Sequence, residues 1–381
     1  MKTINLLSPK KVVFGNGCSE QFTKDFISLG YKKVLIITTP PILQLIDNML
    51  TSFKLSGIEY RVLDSIINEP TKEDLNYSIK IAREFKVDSI IGIGGGSALD
   101  VAKLVAALHN INQKIEDVFG IGNLSGRNSF LACLPTTAGT GSEVSPNAII
   151  LDETDNLKKG VISEYLIPDV AYIDPLLTLS VPANITASTG MDALTHCLEA
   201  YTNKFAHPII DMYALEGIKL ISDNLVNAYL NGKDENAREQ VALGSLFGGM
   251  CLGPVNTAGV HALSYPLGGE YHIAHGLSNA LLLPYVMQFN YSSSINKYSN
   301  VAKALGSQYM EVSEITAEDG IRIIFNMIEK LDLPTRLSQI DIPKEAIDKM
   351  SESAMTVTRL LKNNPREITI TDAKNIYMMA Y

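Results

Sequence analysis

Imidazole side chains that could bind a metal are concentrated in the second half of the chain, and one of them follows an aspartate by four positions. The sequence has six histidines, and five of them lie between residues 196 and 275. Asp192 and His196 are four positions apart, so on a helix they share one face. His261, His272 and His275 follow downstream. A carboxylate with a neutral imidazole one turn later offers two ligands to a divalent cation. The pattern favours a metal site, although each histidine taken alone is also compatible with an ordinary core or surface role.

A glycine-rich loop in the first half could bind an anion. The apolar run Ser89–Gly94 leads into Gly94-Gly95-Gly96-Ser97 and then into a good helix start. Adjacent glycines let a ligand approach the backbone, and the N–H groups of a helix N-terminus suit a pyrophosphate. The spacing is not the Rossmann fingerprint, because its third glycine would fall on Ser97, and the Gly-Lys-Ser/Thr of a P-loop is absent. A structural glycine turn is the alternative.

A second loop follows another candidate strand. The run Pro135-Thr136-Thr137-Ala138-Gly139-Thr140-Gly141-Ser142-Glu143 alternates hydroxyls with glycines. Hydroxyls beside exposed amides can hydrogen-bond a carboxamide or a phosphate, whereas an ordinary connecting turn is the alternative. Two such loops after two parallel strands indicate a ligand site at the carboxyl edge of one sheet.

The elements that must position these residues divide the chain in two. Up to about residue 180, short β-branched runs alternate with amphipathic stretches, which is typical of a parallel sheet flanked by helices. The predicted strands are Lys11–Phe14, Lys33–Thr38, Glu59–Leu63, Ser89–Gly94, Phe130–Leu134 and Val170–Ile173. After Pro182 only helical patterns are found, including Ile209–Leu230, Asn236–Met250, Ala317–Leu331 and Lys344–Met355. We therefore predict an α/β domain over residues 1–181 and an all-α domain over residues 182–381, with a cleft between them.

Composition excludes several classes of protein. The 381 residues carry a net charge of −9 without any run of like charges, so a nucleic-acid binder is not expected. Hydrophobic residues make up 46% and charged residues 19%, which indicates a large buried interior or a buried subunit face, as in a homodimer or higher homo-oligomer. The four scattered cysteines indicate a reducing compartment, and neither a signal peptide nor a membrane span is found. A cytoplasmic protein is expected.

Taken together, these motifs resemble the iron-containing, or group III, alcohol dehydrogenases, which include lactaldehyde reductase and 1,3-propanediol dehydrogenase. The resemblance covers essentially the whole chain. It is carried by the Gly94–Ser97 loop with Asp100 and Lys103, by the Pro135–Glu143 loop, by Thr189–His196, and by His261 with His275-Gly276. It implies an N-terminal nucleotide-binding α/β domain and a C-terminal helical domain in a dehydroquinate-synthase-like fold, with the metal and the nicotinamide between them.

The resemblance also implies roles for individual residues. The implied metal ligands are Asp192, His196, His261 and His275. The implied cofactor contacts are Gly94, Gly95, Gly96 and Ser97 at the pyrophosphate, Thr136, Thr137 and Thr140 along the nicotinamide, and Asp100 and Lys158. His272 lies three residues from His275 and is expected in the substrate pocket rather than on the metal.

Three positions depart from the family pattern. Many members that use NAD have an aspartate after the second strand, where this sequence has Thr39. A histidine near the nicotinamide in several members is here Tyr265, and the usual proline before the last ligand is Ala274. Thr39 bears on the choice between NAD and NADP, whereas Tyr265 and His272 are the candidates for the proton path.

The implied activity is that of an alcohol dehydrogenase or aldehyde reductase acting on a small alcohol or aldehyde. A divalent cation polarises the substrate oxygen while hydride passes between the substrate carbon and NAD(P)(H). Three nitrogen ligands and one oxygen ligand suit Fe²⁺ and also Zn²⁺. The alternatives are a related activity, such as that of a glycerol dehydrogenase, a maleylacetate reductase or a dehydroquinate-synthase-like lyase, and a non-catalytic nucleotide- or metal-binding protein.

Overall fold

The computed structural model describes residues 3–66, 69–154 and 157–381 of the chain. It divides into two compact units. The first, called here the α/β unit, comprises Leu6–Thr137 and Gly141–Ser180. The second, called the helical unit, comprises Met1–Asn5, Ala138–Thr140 and Val181–Tyr381. The change between the two large segments falls between residues 180 and 181, whereas the assignment of a function to each predicted domain stays a prediction.

The strands of the described residues all lie in the α/β unit. They are β1 (Lys11–Phe14), β2 (Lys33–Ile37), β3 (Glu59–Leu63), β4 (Ser89–Gly94), β5 (Gly120–Ile121), β6 (Phe130–Pro135), β7 (Asn147–Asp152), β8 (Leu157–Ile162) and β9 (Val170–Ile173). All six predicted strands are present, and the two whose limits differ do so by one residue. Runs of β-branched and aliphatic residues bounded by polar residues are therefore sufficient to locate these six strands.

The main sheet is parallel and contains six strands in the order β1-β9-β6-β4-β2-β3. The chain leaves β2 towards β3 on one side and returns to β4 on the other side. This reversal makes a topological switch point between β2 and β4, where parallel sheets bind ligands outside the carboxyl ends of their strands. The glycine-rich loop follows β4 and Thr39 follows β2, so both lie at this edge.

A second sheet, with the order β5-β8-β7, is absent from the sequence prediction. Strand β8 contains Lys158, Lys159 and Gly160, which give no strand pattern. Its pairing is instead fixed by tertiary contacts, because β7 and β8 form an antiparallel ladder and Lys159 Nζ lies 2.6 Å from Asp152 Oδ2. The polar strand was missed because its stability comes from its partner and not from its own residues.

Helices lie in both units. The α/β unit contains α1 (Cys18–Leu29), α2 (Asp47–Leu55), α3 (Lys72–Phe85), α4 (Gly96–Leu108) and α5 (Ile115–Val118). The helical unit contains α6 (Ala183–Thr202), α7 (Pro208–Leu230), α8 (Glu235–Leu252), α9 (Gly259–Tyr271), α10 (His275–Asn290), α11 (Ile295–Ala304), α12 (Glu314–Lys330), α13 (Ala346–Met355), α14 (Thr358–Leu361) and α15 (Ile370–Met379). The helices predicted after residue 182 are all present, with shifts of up to three residues at their ends.

The core of the α/β unit has apolar side chains on both faces of the main sheet. Leu35 and Ile37 pack in one apolar cluster with residues of α3 and α4. Val34 and Ile36 pack in another cluster with residues of α1 and α2. Successive residues of a strand point to opposite faces, so β2 reads as a continuous apolar run because both of its faces are covered.

Helix α6 is the buried centre of the helical unit. Every residue from Gly190 to Thr202 is buried, and α7, α8 and α10 pack against the helix. A helix that is buried on all sides must satisfy each of its polar side chains within the protein. Asp192, His196 and Glu199 therefore require partners on neighbouring helices.

A buried polar cluster in the α/β unit fixes the segment that follows the second loop. The Asp100 carboxylate accepts hydrogen bonds from Ser142 Oγ and from the Ile149 N–H, the latter at 2.9 Å. Lys103 Nζ is buried and donates to the carbonyls of Ser142 and Ser145, both at 2.9 Å. These contacts satisfy the buried Lys103 ammonium and the partly buried Asp100 carboxylate by pairing α4 with the chain that enters β7.

Glu143 lies beside this cluster and generates a prediction about pH. The residue is 3% exposed. Burial raises the pKa of its carboxyl from 4.5 to about 7, against the opposing effects of its own backbone N–H and of Lys103. Because the folded-state pKa is raised, the contribution of Glu143 to stability is fully present below pH 4.5 and is lost as the pH rises through about 7.

We expect Glu143→Gln to remove this loss. The free energy of unfolding of the variant should gain on that of the parent chain by up to about 3 kcal/mol between pH 4.5 and pH 8. Guanidinium titrations followed by circular dichroism at both pH values measure the difference. Glu59→Gln, at an exposed position of β3, is the matched control and should show no such gain. An equal gain in both variants contradicts the prediction.

Candidate metal and cofactor sites

Three helices bring the four implied metal ligands together in the helical unit. Helix α6 carries Asp192 and His196 one turn apart, α9 carries His261, and His275 is the first residue of α10. One ligand atom from each residue lies within 4.8 Å of the others. The rings of His196 and His261 are stacked with centroids 4.8 Å apart, and those of His261 and His275 meet edge to face at 5.2 Å.

The distances between the ligand atoms fit a single cation. Asp192 Oδ1 lies 3.8 Å from His196 Nε2 and 3.7 Å from Nε2 of both His261 and His275. Ligand atoms about 2.1 Å from a tetrahedral ion are about 3.4 Å from one another, so the three distances from Asp192 need only a small contraction. One carboxylate and three imidazoles form a donor set that suits Fe²⁺ or Zn²⁺.

The electrostatics of the cluster favour the protonation states that bind metals. Burial alone would raise the pKa of Asp192, but the three histidines and a hydrogen bond from Asn279 outweigh it and lower this pKa to about 2. Burial lowers the pKa of His196, although Asp192 opposes the shift. An ionised carboxylate and neutral imidazole are the forms in which these side chains act as ligands.

The four residues differ in exposure. The side chains of Asp192, His196 and His261 are 3%, 6% and 4% exposed, whereas that of His275 is 28% exposed. Solvent therefore reaches the cluster at His275, the first residue of α10.

Two further polar residues that the sequence analysis missed lie in this cluster. Asn279 Nδ2 is 2.7 Å from Asp192 Oδ1 and 3.1 Å from His261 Nε2. Glu199 Oε2 is 2.6 Å from His261 Nδ1. Both could have been found from helix spacing, because Glu199 is seven positions after Asp192 and Asn279 is four positions after His275.

The lack of space around position 276 explains why a glycine follows His275. A Cβ atom at this position would lie 2.3 Å from the Ser188 carbonyl oxygen and 3.3 Å from Asp192 Cβ. The missing side chain lets the first turn of α10 approach α6 closely. That approach brings the imidazole of His275 to Asp192.

The structure separates His272 from the ligand group. His272 is exposed and ends α9 in the left-handed region with a φ of 56°. The ring centroid of Tyr265 lies 6.3 Å from that of His275. Burial raises the pKa of the Tyr265 phenol above 10.0, although a hydrogen bond and the charge of Arg359 oppose the shift.

The glycine-rich loop forms the N-terminus of α4 at the switch point of the main sheet. Helix α4 begins at Gly96, and its cap residue Gly95 has no side chain to accept the first-turn N–H groups. Gly95, Gly96 and Ser97 are partly exposed. A Cβ atom on Gly94 would lie 2.8 Å from Ala98 Cβ, so the turn needs glycine there. The loop thus presents free backbone donors where an anion can reach them.

The second loop begins beside the first. The Thr136 N–H donates to the Gly94 carbonyl at 2.9 Å, and Thr137 packs on Gly95, where an added Cβ would lie 3.5 Å from Thr137 Oγ1. Thr140 belongs to the segment grouped with the helical unit, as does Gly139, which packs closely on Thr189 of α6. Thr136 and Thr137 thus lie beside the glycine-rich loop within the α/β unit, whereas Thr140 does not belong to that unit.

The remaining predicted cofactor residues have different surroundings. Thr39 is partly exposed and precedes a short 3₁₀ helix (Pro40–Ile46), and its hydroxyl makes no capping hydrogen bond. Lys158 lies in β8 with its Nζ 2.7 Å from Glu69 Oε1. Asp100 uses both carboxylate oxygens to hold Ser142 and Ile149. A contact between Asp100 and a cofactor stays a prediction.

Comparison with known proteins identifies the family. The profile described as "Iron-containing alcohol dehydrogenase" matches residues 9–175, and that described as "Fe-containing alcohol dehydrogenase family, C-terminal" matches residues 186–381. The chain belongs to the iron-containing alcohol dehydrogenase family. The resemblance inferred from the motifs and the predicted fold class are confirmed.

Individual members of the iron-containing alcohol dehydrogenase family are similar over their whole length. Long-chain-alcohol dehydrogenase 1 of Geobacillus thermodenitrificans is 37% identical over 387 residues, which cover 100% of this chain and 98% of the relative. NADPH-dependent butanol dehydrogenase of Clostridium saccharobutylicum is 30% identical, covering 98% and 97%. The crystal structure of a 1,3-propanediol oxidoreductase has a TM-score of 0.95 at 30% identity and covers 100% of both chains.

These similarities establish the class of activity. The family member described here is an oxidoreductase, an NAD(P)-dependent alcohol dehydrogenase or aldehyde reductase. This activity is supported over the glycerol dehydrogenase, maleylacetate reductase, lyase and non-catalytic alternatives. Within the described residues, no helix has both the length and the apolarity needed to cross a membrane.

The convergence of four ligand atoms generates a prediction about metal content. His261→Ala removes one of three nitrogen ligands, so the purified variant should lose stoichiometric metal and turnover. It should remain folded, because α9 keeps its other packing contacts. Elemental analysis after gel filtration measures the metal, and circular dichroism checks the fold.

The exposed His272 provides the control. His272→Ala should keep its metal, because this residue lies outside the ligand group. Full activity with stoichiometric metal in His261→Ala would overturn the ligand assignment.

Proposed function

We propose that this enzyme interconverts a small alcohol and its aldehyde at one divalent cation held by Asp192, His196, His261 and His275. The observation that carries the proposal is the convergence of one carboxylate oxygen and three imidazole nitrogens in the helical unit. A bound cation there supplies Lewis-acid stabilisation of the negative charge on the substrate oxygen. The protein residues hold and orient the ligands. Fe²⁺ is the proposed metal, with Zn²⁺ as the alternative.

The proposed cofactor site lies at the switch point of the α/β unit. Gly94, Gly95, Gly96 and Ser97 would bind the pyrophosphate with the backbone N–H groups that begin α4. Thr136, Thr137 and Thr140 would hydrogen-bond the nicotinamide end, and Lys158 would contact the cofactor from β8. The open α4 N-terminus at the carboxyl edge of a parallel sheet supports this placement.

Localisation and oligomeric state are also matters of proposal. We propose a cytoplasmic enzyme that forms a homodimer or a higher homo-oligomer. All four cysteines are buried and free, which is compatible with a reducing compartment. The low charged fraction of 19% supports a buried subunit face.

A coupled assay tests the proposed function. Oxidation of NADH and NADPH is followed by absorbance with aldehydes of increasing chain length, before and after chelation and again after addition of Fe²⁺ or Zn²⁺. We expect turnover that disappears on chelation and returns with the metal. Unchanged turnover in fully metal-free enzyme would contradict a metal-dependent reaction.

The neutral Thr39 predicts relaxed cofactor specificity. A carboxylate at this position would accept hydrogen bonds from the 2′-OH of NAD and repel the 2′-phosphate of NADP. We therefore expect the parent enzyme to use NADPH at least as well as NADH. Thr39→Asp should shift the ratio of the two kcat/KM values towards NADH.

Thr39→Asn is the matched control, because asparagine has nearly the shape of aspartate but no charge. It should shift the ratio of the two kcat/KM values less than Thr39→Asp does. A parent enzyme that already excludes NADPH would show that another residue sets the choice.

The raised pKa of the Tyr265 phenol leads us to predict that Tyr265 is not the required proton donor. Its raised pKa makes it a poor proton shuttle at neutral pH, so we expect exchange through water or His272. Tyr265→Phe should retain most of the parent kcat/KM, measured beside His272→Gln. A loss in Tyr265→Phe beyond roughly 100-fold, the low end of a general acid–base contribution, would make Tyr265 the donor.

A further inference from the structure

Glu199 is a buried carboxylate that the proposed reaction does not use. It lies on α6, seven residues after Asp192 and three after His196, and is 3% exposed. This spacing puts the three side chains on one face of the helix. Glu199 is nevertheless not in the group whose ligand atoms converge. Its carboxylate faces the start of α9 instead.

Three donors from the cap residue and the first turn of α9 meet this carboxylate. Oε1 accepts the Val260 N–H at 2.6 Å, and Oε2 accepts the Ala258 N–H at 3.0 Å. Oε2 also lies 2.6 Å from His261 Nδ1. The cap residue of α9 is Ala258, which has no side-chain acceptor, so Glu199 of α6 provides the cap that the local sequence lacks.

The contact sets the tautomer of His261. A carboxylate can only accept, so Nδ1 carries the proton in this hydrogen bond. In the neutral imidazole, which is the form that ligates a metal, the other nitrogen, Nε2, then carries no proton. This nitrogen lies 3.7 Å from Asp192 Oδ1. Asn279 Nδ2, an amide donor, lies 3.1 Å from the same Nε2, which agrees with an unprotonated nitrogen.

The backbone before α9 is held independently of Glu199. Asn203 Nδ2 donates to the carbonyls of Val255 and Asn256 at 3.0 and 3.1 Å. Asn363 Nδ2 donates to the Thr257 carbonyl at 2.8 Å. The path of this loop therefore does not depend on the Glu199 carboxylate alone, whereas the proton on His261 Nδ1 does.

We propose that Glu199 is the positioning residue of the metal site, which fixes the ring orientation and the Nε2-ligating tautomer of His261 while it caps α9. The inference rests on the proposed function, because it requires His261 to be a ligand. A carboxylate that accepts the second N–H of a ligating imidazole orients the ligand and makes it more basic, and its loss typically lowers metal affinity about 10- to 100-fold. One side chain thus links the helix that supplies two ligands with the helix that supplies the third.

Glu199→Gln tests the proposal. The amide has one acceptor oxygen for three donors, and its NH₂ group would face an N–H or turn His261 to the other tautomer. We expect the variant to fold and its affinity for Zn²⁺, measured by competition with a chromophoric chelator, to fall about 10- to 100-fold. The visible absorption of the Co²⁺-loaded variant should also change, because it reports the ligand geometry.

Asn363→Ala is the matched control. It removes a hydrogen bond from the same loop without touching His261, so it should lower the unfolding midpoint while leaving the Zn²⁺ affinity and the Co²⁺ spectrum unchanged. Glu199→Asp, which keeps the carboxylate with a shorter reach, is measured as well. It should bind Zn²⁺ more tightly than Glu199→Gln, and it replaces Glu199→Gln in the comparison with the parent if that variant does not fold.

The outcomes separate this proposal from the proposed function. Absence of metal binding by the parent enzyme, or full binding by His261→Ala, overturns the metal site itself. If the parent binds Zn²⁺ and His261→Ala does not, equal affinity in the parent and Glu199→Gln overturns the positioning role alone. A loss of affinity in Asn363→Ala as large as that in Glu199→Gln also overturns it, because a general loosening of the loop would then explain both.

Discussion

A negative charge in the interior of the helical unit is the constraint on which its architecture depends. An isolated buried carboxylate is too costly to persist, so Asp192 must be surrounded by groups that compensate it. The Asn279 amide of α10 donates a hydrogen bond to Asp192, and the cation that we propose is held by Asp192 and three imidazoles from α6, α9 and α10 would balance its charge. The helices must consequently meet at one point, and the absence of a side chain at Gly276 allows α10 to come close enough.

The α/β unit handles charge in the opposite way. It leaves backbone donors at the start of α4 without a capping side chain, and it places them where the order of strands reverses between β2 and β4. Asp100 and Lys103, which lie on the same helix, hydrogen-bond the segment that leads into β7. The helix whose N-terminus can bind an anion thus also carries a carboxylate and an ammonium group whose charges offset each other.

Much of this arrangement can be predicted from the sequence because its signals are local. The apolar run of β4 and the glycines after it predict a strand, a turn and a helix start, and the spacing of Asp192 and His196 predicts a shared helix face. Strand β8 was missed because Lys158 and Lys159 belong to a strand only through their pairing with β7. Helix spacing is enough to place Glu199 on the same face as Asp192 and His196. It does not show that the Glu199 carboxylate meets the start of α9, some sixty residues away in the chain. Contacts between residues so far apart in the chain depend on how the helices pack, and the local residue pattern does not predict that packing.

The unequal exposure of the four proposed ligands bears on the rate at which a cation could exchange. Three of them are enclosed by packed helices, whereas His275 begins α10 and retains contact with solvent. An ion that enters or leaves must exchange water for protein ligands, and this is easiest where a ligand can swing away without opening the core. In the proposed metal site, fraying of the first turn of α10 would therefore set the rate of metal exchange, whereas the equilibrium affinity would depend on all three helices.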